Sequence, residues 1–298
     1  MLKVLAKLTS VARILAPYAQ GRYTAFTQLV MKYISCIIII LIFYSCGSAQ
    51  GIHDQSSTLD TLVVRNNYGR QAEKWLQKLE KPKYAIDELK SGTVTTKYLN
   101  YNFSTLLTPH SKFLGYIGPN YDRFRVFFTS VTKSKKDPGI YYVTGISVVK
   151  NNKQDFTGNI VIKQVREYKK LHYGVDDIYK SEGIQAEGLL LGEYLFKENS
   201  KQNDAGILKG IVTLYWYLDR YGIPHYDDIS QYSDSYFNNQ YVGRWIDQKT
   251  SQNQACNWGE YRIPFSGNLD IGAGYFSPDP KYYSRGWEDF KYLNEIKD

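Results

Sequence analysis

Residues 121–219 hold five long runs in which side chains alternate with period two, and glycines fall inside most of them. That pattern constrains the fold more than any other feature, because period two belongs to strands, whose successive side chains point to opposite faces. Over 122–133, Phe124, Val126 and Phe128 share one face, and Arg123, Arg125 and Phe127 the other. Asp137-Pro138-Gly139 then supplies turn chemistry: proline fixes φ and glycine tolerates positive φ. Residues 139–150 set Tyr141, Val143 and Gly145 against Tyr142, Thr144, Ile146 and Val148, and Asn151-Asn152-Lys153-Gln154 reads as a polar hairpin loop.

In 156–170, Gly158, Ile160 and Ile162 face one way, Val161 and Val165 the other. Residues 183–198 place Ile184, Ala186, Gly188, Leu190, Gly192, Tyr194 and Phe196 on one face. Residues 206–219 do the same with Leu208, Gly210, Val212, Leu214, Trp216 and Leu218. These runs are longer than the usual strand of about 5–6 residues. Glycine inside a strand marks a bulge, a sharp coil or a close backbone approach. Long, up-and-down, glycine-kinked strands are what a sheet needs in order to curl. The expected fold is therefore mainly β, an antiparallel meander closing into a barrel or a strongly coiled half-barrel, with a β-sandwich as the alternative.

Ahead of the meander, 67–81 reads as an amphipathic helix. Asn67 is the cap, Tyr68, Ala72, Trp75, Leu76 and Leu79 form an apolar stripe, and Pro82 is the stop. Its stripe is expected to pack on the sheet or to plug one barrel end. Residues 93–98 read as a short strand, and 105–120 as a loop around an apolar patch. After the meander, 241–247, 258–263 and 269–274 are strand candidates, and 276–298 reads as loop with one helical turn, Trp287 and Phe290 being available to dock.

Tyrosine is abundant at 28 residues, which suits exposed sheet faces and also sugar or peptide binding. Of the net charge of +8, five units come from Lys3, Lys7, Arg13, Arg22 and Lys32 in an acid-free stretch of fifty residues. The remaining +3 is too small a balance to argue for nucleic acid. Met31-Lys32 precedes a nearly apolar run over 33–44 and then small residues, the plan of a secretory signal. That run is too short to span a bilayer, which needs about 20 apolar residues. Residues 31–49 are thus a leader, 1–30 an upstream extension with Met31 as the expected start, 50–66 a polar tether, and 67–298 a single β-rich domain.

Phe43-Tyr44-Ser45-Cys46-Gly47-Ser48-Ala49 resembles the loose lipobox of Bacteroidota lipoproteins, which implies diacylation of Cys46 and a membrane partner through that lipid. Ordinary cleavage after Ala49 is the alternative. The first reading implies an outer-membrane or periplasmic lipoprotein, the second a secreted protein. Gly243-Arg244-Trp245 is similar to the Gly-x-Trp signature of lipocalin-like barrels, where the tryptophan packs across a barrel end. The runs Phe113-Leu114-Gly115-Tyr116-Ile117-Gly118, Asp155-Phe156-Thr157-Gly158 and Cys256-Asn257-Trp258-Gly259-Glu260-Tyr261-Arg262 resemble an exported Bacteroidota family with no known activity.

No His-x-x-x-His pair, Gly-x-Ser-x-Gly elbow, P-loop or helix-opening Gly-x-Gly-x-x-Gly occurs, and the four histidines are scattered. Cys256 has no evident base beside it. The reading these residues support is a non-enzymatic β-domain that binds a small ligand, glycan or protein partner and carries no cofactor. A structural role in the envelope is left open. The densest set of convergent groups is Trp245, Asn257, Trp258, Glu260, Tyr261 and Arg262, aromatic faces with an amide, a carboxylate and a guanidinium. The alternative is a glycan-directed hydrolase drawing on Asp176, Asp177, Asp227, Asp228 or Glu260 as paired carboxylates. Asp227, Asp228 and Asp234 are in addition calcium candidates.

Overall fold

The computed structural model describes residues 68–81, 88–202 and 204–291, all within the unit Ser56–Asp298. The leader, Cys46, the tether, Asn67 and Pro82 lie outside the described residues.

Among the described residues nine strands make one antiparallel sheet: β1 (Phe113–Ile117), β2 (Asp122–Lys133), β3 (Ile140–Val149), β4 (Asn152–Glu167), β5 (Ala186–Glu198), β6 (Gly206–Leu218), β7 (Pro224–Tyr226), β8 (Asn238–Asp247) and β9 (Asn253–Glu260). All but β7 close into an eight-stranded barrel, with neighbours running β1-β2-β3-β4-β5-β6-β8-β9 and back to β1. Closure leaves no unpaired edge around the ring. Strand β7 pairs with the last residues of β6, where β8 has already diverged.

The inward faces are the ones the alternation sorts out. Phe124 and Val126, Tyr141 and Val143, Phe156 and Ile160, Leu190 and Tyr194, and Leu208 and Val212 all enter the core. Glycines sit where neighbouring strands approach most closely. A Cβ on Gly210 would strike the Val242 carbonyl and the Gly243 backbone, and one on Gly243 would strike the Lys209 carbonyl and the Tyr194 hydroxyl. These two glycines face each other across β6 and β8, so only a pair without side chains permits that curvature.

Aromatic rings fill the lumen. Phe128 is ringed by Phe113, Phe156, Phe196 and Tyr241 at centroid distances of 5.3 to 6.1 Å, and Trp258 stacks on Tyr241 at 4.8 Å. One end is closed by the segment before β1, which carries two helical turns, α2 (Thr95–Tyr98) and α3 (Ser104–Leu107). Tyr98 and Phe103 pack on Trp216, the Phe103 amide donates to the Tyr141 hydroxyl at 3.1 Å, and Lys133 Nζ donates to the carbonyls of Leu99 and Tyr101. At the other end Trp245 donates its Nε1 to the buried Glu198 at 3.0 Å, and Ser147 Oγ and the Gly206 amide donate to the same carboxylate.

The amphipathic helix, α1 (Arg70–Glu80), packs on the outside of the barrel. Tyr68, Ala72, Trp75 and Leu76 cover Leu191, Ile211 and Val242, outward residues of β5, β6 and β8. Trp75 Nε1 also donates to Thr213 Oγ1 at 3.1 Å. A further apolar cluster joins the C-terminal segment to the barrel wall, with Trp287 fully buried against Phe276 and Phe290 and its Nε1 on the Tyr121 carbonyl.

Several expectations need correcting. Residues 95–98 are helical rather than extended, and the apolar patch at 113–117 is a barrel strand rather than loop. The hairpin between β3 and β4 is tighter than expected, since Asn152 already pairs with Val149. A register shift between Ile162 and Gln164 turns Val165 into the core, against its parity in the sequence. Residues 269–274 form no strand, only an isolated bridge between Asp270 and Pro278.

Candidate functional site

The six residues that the sequence grouped do not converge on one pocket. Trp245 and Trp258 belong to the lumen. Asn257 points outward beneath α1, donating to Tyr116 Oη at 2.8 Å and Gln71 Oε1 at 3.1 Å while accepting from the Gly243 amide. Glu260 is wholly buried, and its Oε1 accepts from the Ser111 amide. Burial raises that carboxyl to about 7 against the opposing hydrogen bonds. Tyr261 packs edge-on against Tyr236. Arg262 clamps the following loop, donating to Asp270 and to the carbonyls of Gly272, Ala273 and Gly274. Tyr261 and Arg262 each border a smaller hollow of about 190 and 360 Å³ respectively. Alternation along β9 sends Asn257 and Trp258 to opposite sides of the wall, and Tyr261 and Arg262 lie beyond the strand's end in the following loop.

Cys256 lies inside the lumen with its thiol pushed well up by burial, so it is no nucleophile in this state. Asp176 and Asp177 are exposed on a short 3-10 turn, where Asp177 pairs with Lys180. Among the described residues no group of three His, Cys, Asp or Glu side chains is placed to hold a metal ion, so Asp227, Asp228 and Asp234 are not gathered as a calcium site.

A larger concavity than these two lies elsewhere, on the outer wall of β5 and β6. It is a groove of about 520 Å³ bounded by the end of α1, by Leu89 and Tyr168, and by the loop after β7. The strands build its floor through register. Leu189 on β5 pairs with Tyr215 on β6, and Glu187 with Tyr217, so Glu187, Leu189 and Tyr215 all face outward. Where β8 leaves β6, Asn238 bridges the gap: its Oδ1 accepts from the Tyr215 amide at 2.8 Å and its Nδ2 donates to the Tyr215 and Asp227 carbonyls. That bridge holds Asp227 over Glu187.

Aromatic rings continue along the groove. Tyr168 lies 6.4 Å from Tyr215, Tyr215 lies 5.7 Å from Phe237, and Phe237 lies 5.6 Å from Trp75. Lys78 Nζ already sits over the Trp75 and Phe237 rings, at 5.4 and 5.6 Å from their centroids. The polar floor is a carboxyl pair. Glu187 is buried, its Oε2 accepting from the His172 amide at 2.7 Å and its Oε1 lying 2.6 Å from His172 Nδ1. The Asp227 carboxyl faces Glu187 within hydrogen-bonding reach. Asp227 is half-buried, and burial of its carboxyl, with the Glu187 charge added, raises it to about 8. That upward shift favours a proton on Asp227, facing Glu187.

Of these residues only Asp227 and Asp234 stood among the sequence candidates. Glu187 carried a signal that went unread: it is an acid beside Leu189 and Leu191 on a strand apolar on both faces, hence on a covered outer wall. Nothing local marks His172, Tyr168 or Tyr215, which meet only through the β4–β5–β6 register. Compared with models of protein families, with curated proteins and with solved structures, the chain shows no significant match.

Proposed function

We propose that the chain is an exported, lipid-anchored β-barrel protein of the cell envelope that binds a glycan in the outer groove of β5 and β6. The observation that carries this reading is the strip of rings from Tyr168 through Tyr215 to Phe237, running above the Glu187–Asp227 carboxyl pair. Flat aromatic faces pack against the C–H faces of sugar rings, while fixed carboxyls take the hydroxyls. Ser230, Ser233 and Ser235 add further hydroxyl partners along one wall. The lumen offers no such room, being packed with rings. Export and attachment through Cys46 rest on the leader and its lipobox-like sequence.

Binding fits this geometry better than hydrolysis. Glycoside cleavage needs its two carboxyls about 5–9.5 Å apart, with the sugar or a water between them. Glu187 and Asp227 instead face each other within hydrogen-bonding reach. Isothermal titration against a panel of oligosaccharides, neutral and amino, tests the reading. Saturable binding of at least one of them, lowered about five- to tenfold by Tyr215→Ala, is expected, as loss of a stacked ring costs ~1–1.5 kcal/mol. No binding by any oligosaccharide overturns it. For the anchor, mass spectrometry of the exported protein is expected to find an acylated N-terminal Cys46; an unmodified terminus at Gln50 would refute the lipid.

A further inference from the structure

Resting on the glycan reading, we infer that the groove selects a glycan bearing a free primary amine, whose ammonium group seats between Glu187 and Asp227 under the tyrosine rings. The argument begins with charge. The groove holds Glu187 and Asp227 at its floor and Asp234 on its wall, and the cations that border it stand at its α1 end. One of those, Lys78, is already engaged over Trp75 and Phe237. That contact has a second meaning, since it places an ammonium on the same ring strip that continues to Tyr215. The strip therefore accepts a cation at one end by ordinary cation–π attraction. At its other end the rings lie beside two carboxyls rather than beside a lysine.

The carboxyl pair sets two acceptors side by side on the groove floor. Two carboxyls in contact repel one another when both are ionised. The surroundings of Asp227 offer modest relief. His172 stands behind Glu187 from the β4–β5 connection, Tyr236 closes from the loop after β7 and donates its hydroxyl to the Asp227 carbonyl, and the Ile229 amide reaches Asp227 Oδ1 at 3.2 Å. Tyr179 and Tyr217 also feel the Asp227 charge, both being raised above their ordinary range, chiefly by burial. Lys78 and Lys81 stay at the rim. A proton on Asp227 relieves the pair in the free protein, in keeping with the upward shift of that carboxyl. An incoming ammonium brings three N–H donors and a full positive charge to the same place and displaces that proton. An N-acetylated amine brings one N–H, no charge and a bulky acyl group.

The expected consequences follow from that exchange. A glucosamine oligomer binds about tenfold to a hundredfold more tightly than its N-acetylated counterpart, the scale of one charge-assisted contact. Binding releases a proton at pH 7, so its heat depends on the ionisation enthalpy of the buffer. Asp227→Asn brings the two affinities together and abolishes the proton release.

The test is isothermal titration of the whole exported protein with a glucosamine oligomer, the matching N-acetylglucosamine oligomer and a simple diamine, each in two buffers. Glu187→Gln is measured beside Asp227→Asn, with circular dichroism to confirm that both remain folded. Preference for the free amine with proton release, lost in Asp227→Asn, supports the inference. Equal affinity for the two oligomers, or a preference unchanged in a folded Asp227→Asn protein, overturns it and leaves the glycan reading in place. Binding of the diamine with neither oligomer bound upholds ammonium recognition and overturns the glycan reading. No binding by any of the three overturns both.

Discussion

Glu167 enters the barrel mouth just past the register shift in β4, and three side chains of the closing segment converge on it. Lys90 Nζ donates to one oxygen at 2.7 Å, and Lys97 Nζ and the Tyr98 hydroxyl to the other at 2.8 and 2.7 Å. Burial alone would raise this carboxyl, but those three donors outweigh it and bring it down from 4.5 to about 2. Because the folded value lies below the unfolded one, the ionised carboxylate contributes stability above the unfolded pKa. That contribution is lost as the pH falls through the window from 4.5 to about 2. Melting temperature is therefore expected to drop on acidification across that window, and Glu167→Gln to drop less steeply while starting lower at pH 7. Thermal unfolding at half-unit pH steps checks both slopes; parallel curves for the two proteins would show that Glu167 does not carry the effect.

Helix α1 works as a cover for the outer wall and as one bank of the groove. Its buried Leu76 sits on Leu191, Ile211 and Val242, three residues that would otherwise face water. Leu76→Ala is expected to cost about 2–5 kcal/mol, read as a lowered urea midpoint. Because the same helix carries Lys78 and Leu79 to the groove, oligosaccharide affinity should fall with it, whereas a change of equal size in the lumen should leave affinity alone. At this scale the sequence was most legible where an element was long. The runs that became β2, β3, β5 and β6 carried enough alternation to be read directly, and so did the apolar stripe of α1. Elements of four or five residues were not: nothing in Thr95–Tyr98 distinguishes a helical turn from a strand until Trp216 and Glu167 pack against it. The shift at Ile162 was equally invisible, since it reverses the parity of Val165 without changing composition. The candidate site failed for the same reason. Trp258, Glu260 and Arg262 are close in sequence, but a strand wall and its exit send them to the lumen and to an outer loop, while Glu187, Tyr215 and Asp227 gather from two strands and the loop after β7.

For the molecule as a whole, closure and filling go together. An eight-stranded barrel has an interior just wide enough either for side chains or for one small ligand. Which of the two applies is decided by the residues facing in, and here they are Phe113, Phe124, Phe128, Phe156, Phe196, Tyr194, Tyr241 and Trp258, rings that contact one another across the axis. Packing at such density leaves no apolar void for a guest, so wild-type protein is expected to show no rise in melting temperature with benzene. Phe196 is fully buried and touches Phe128, Phe156 and Tyr194, so its removal leaves an enclosed central gap. Phe196→Ala is expected to lose about 3–5 kcal/mol, because the surrounding strands are tied by closure and cannot collapse inward. That void is dry and ring-sized, and benzene should recover part of the lost melting temperature in this variant alone. Thermal unfolding of both proteins with and without benzene settles the point: stabilisation of the wild type would mean that the barrel holds a cavity of its own, and would move the search for a ligand from the outer groove back to the lumen.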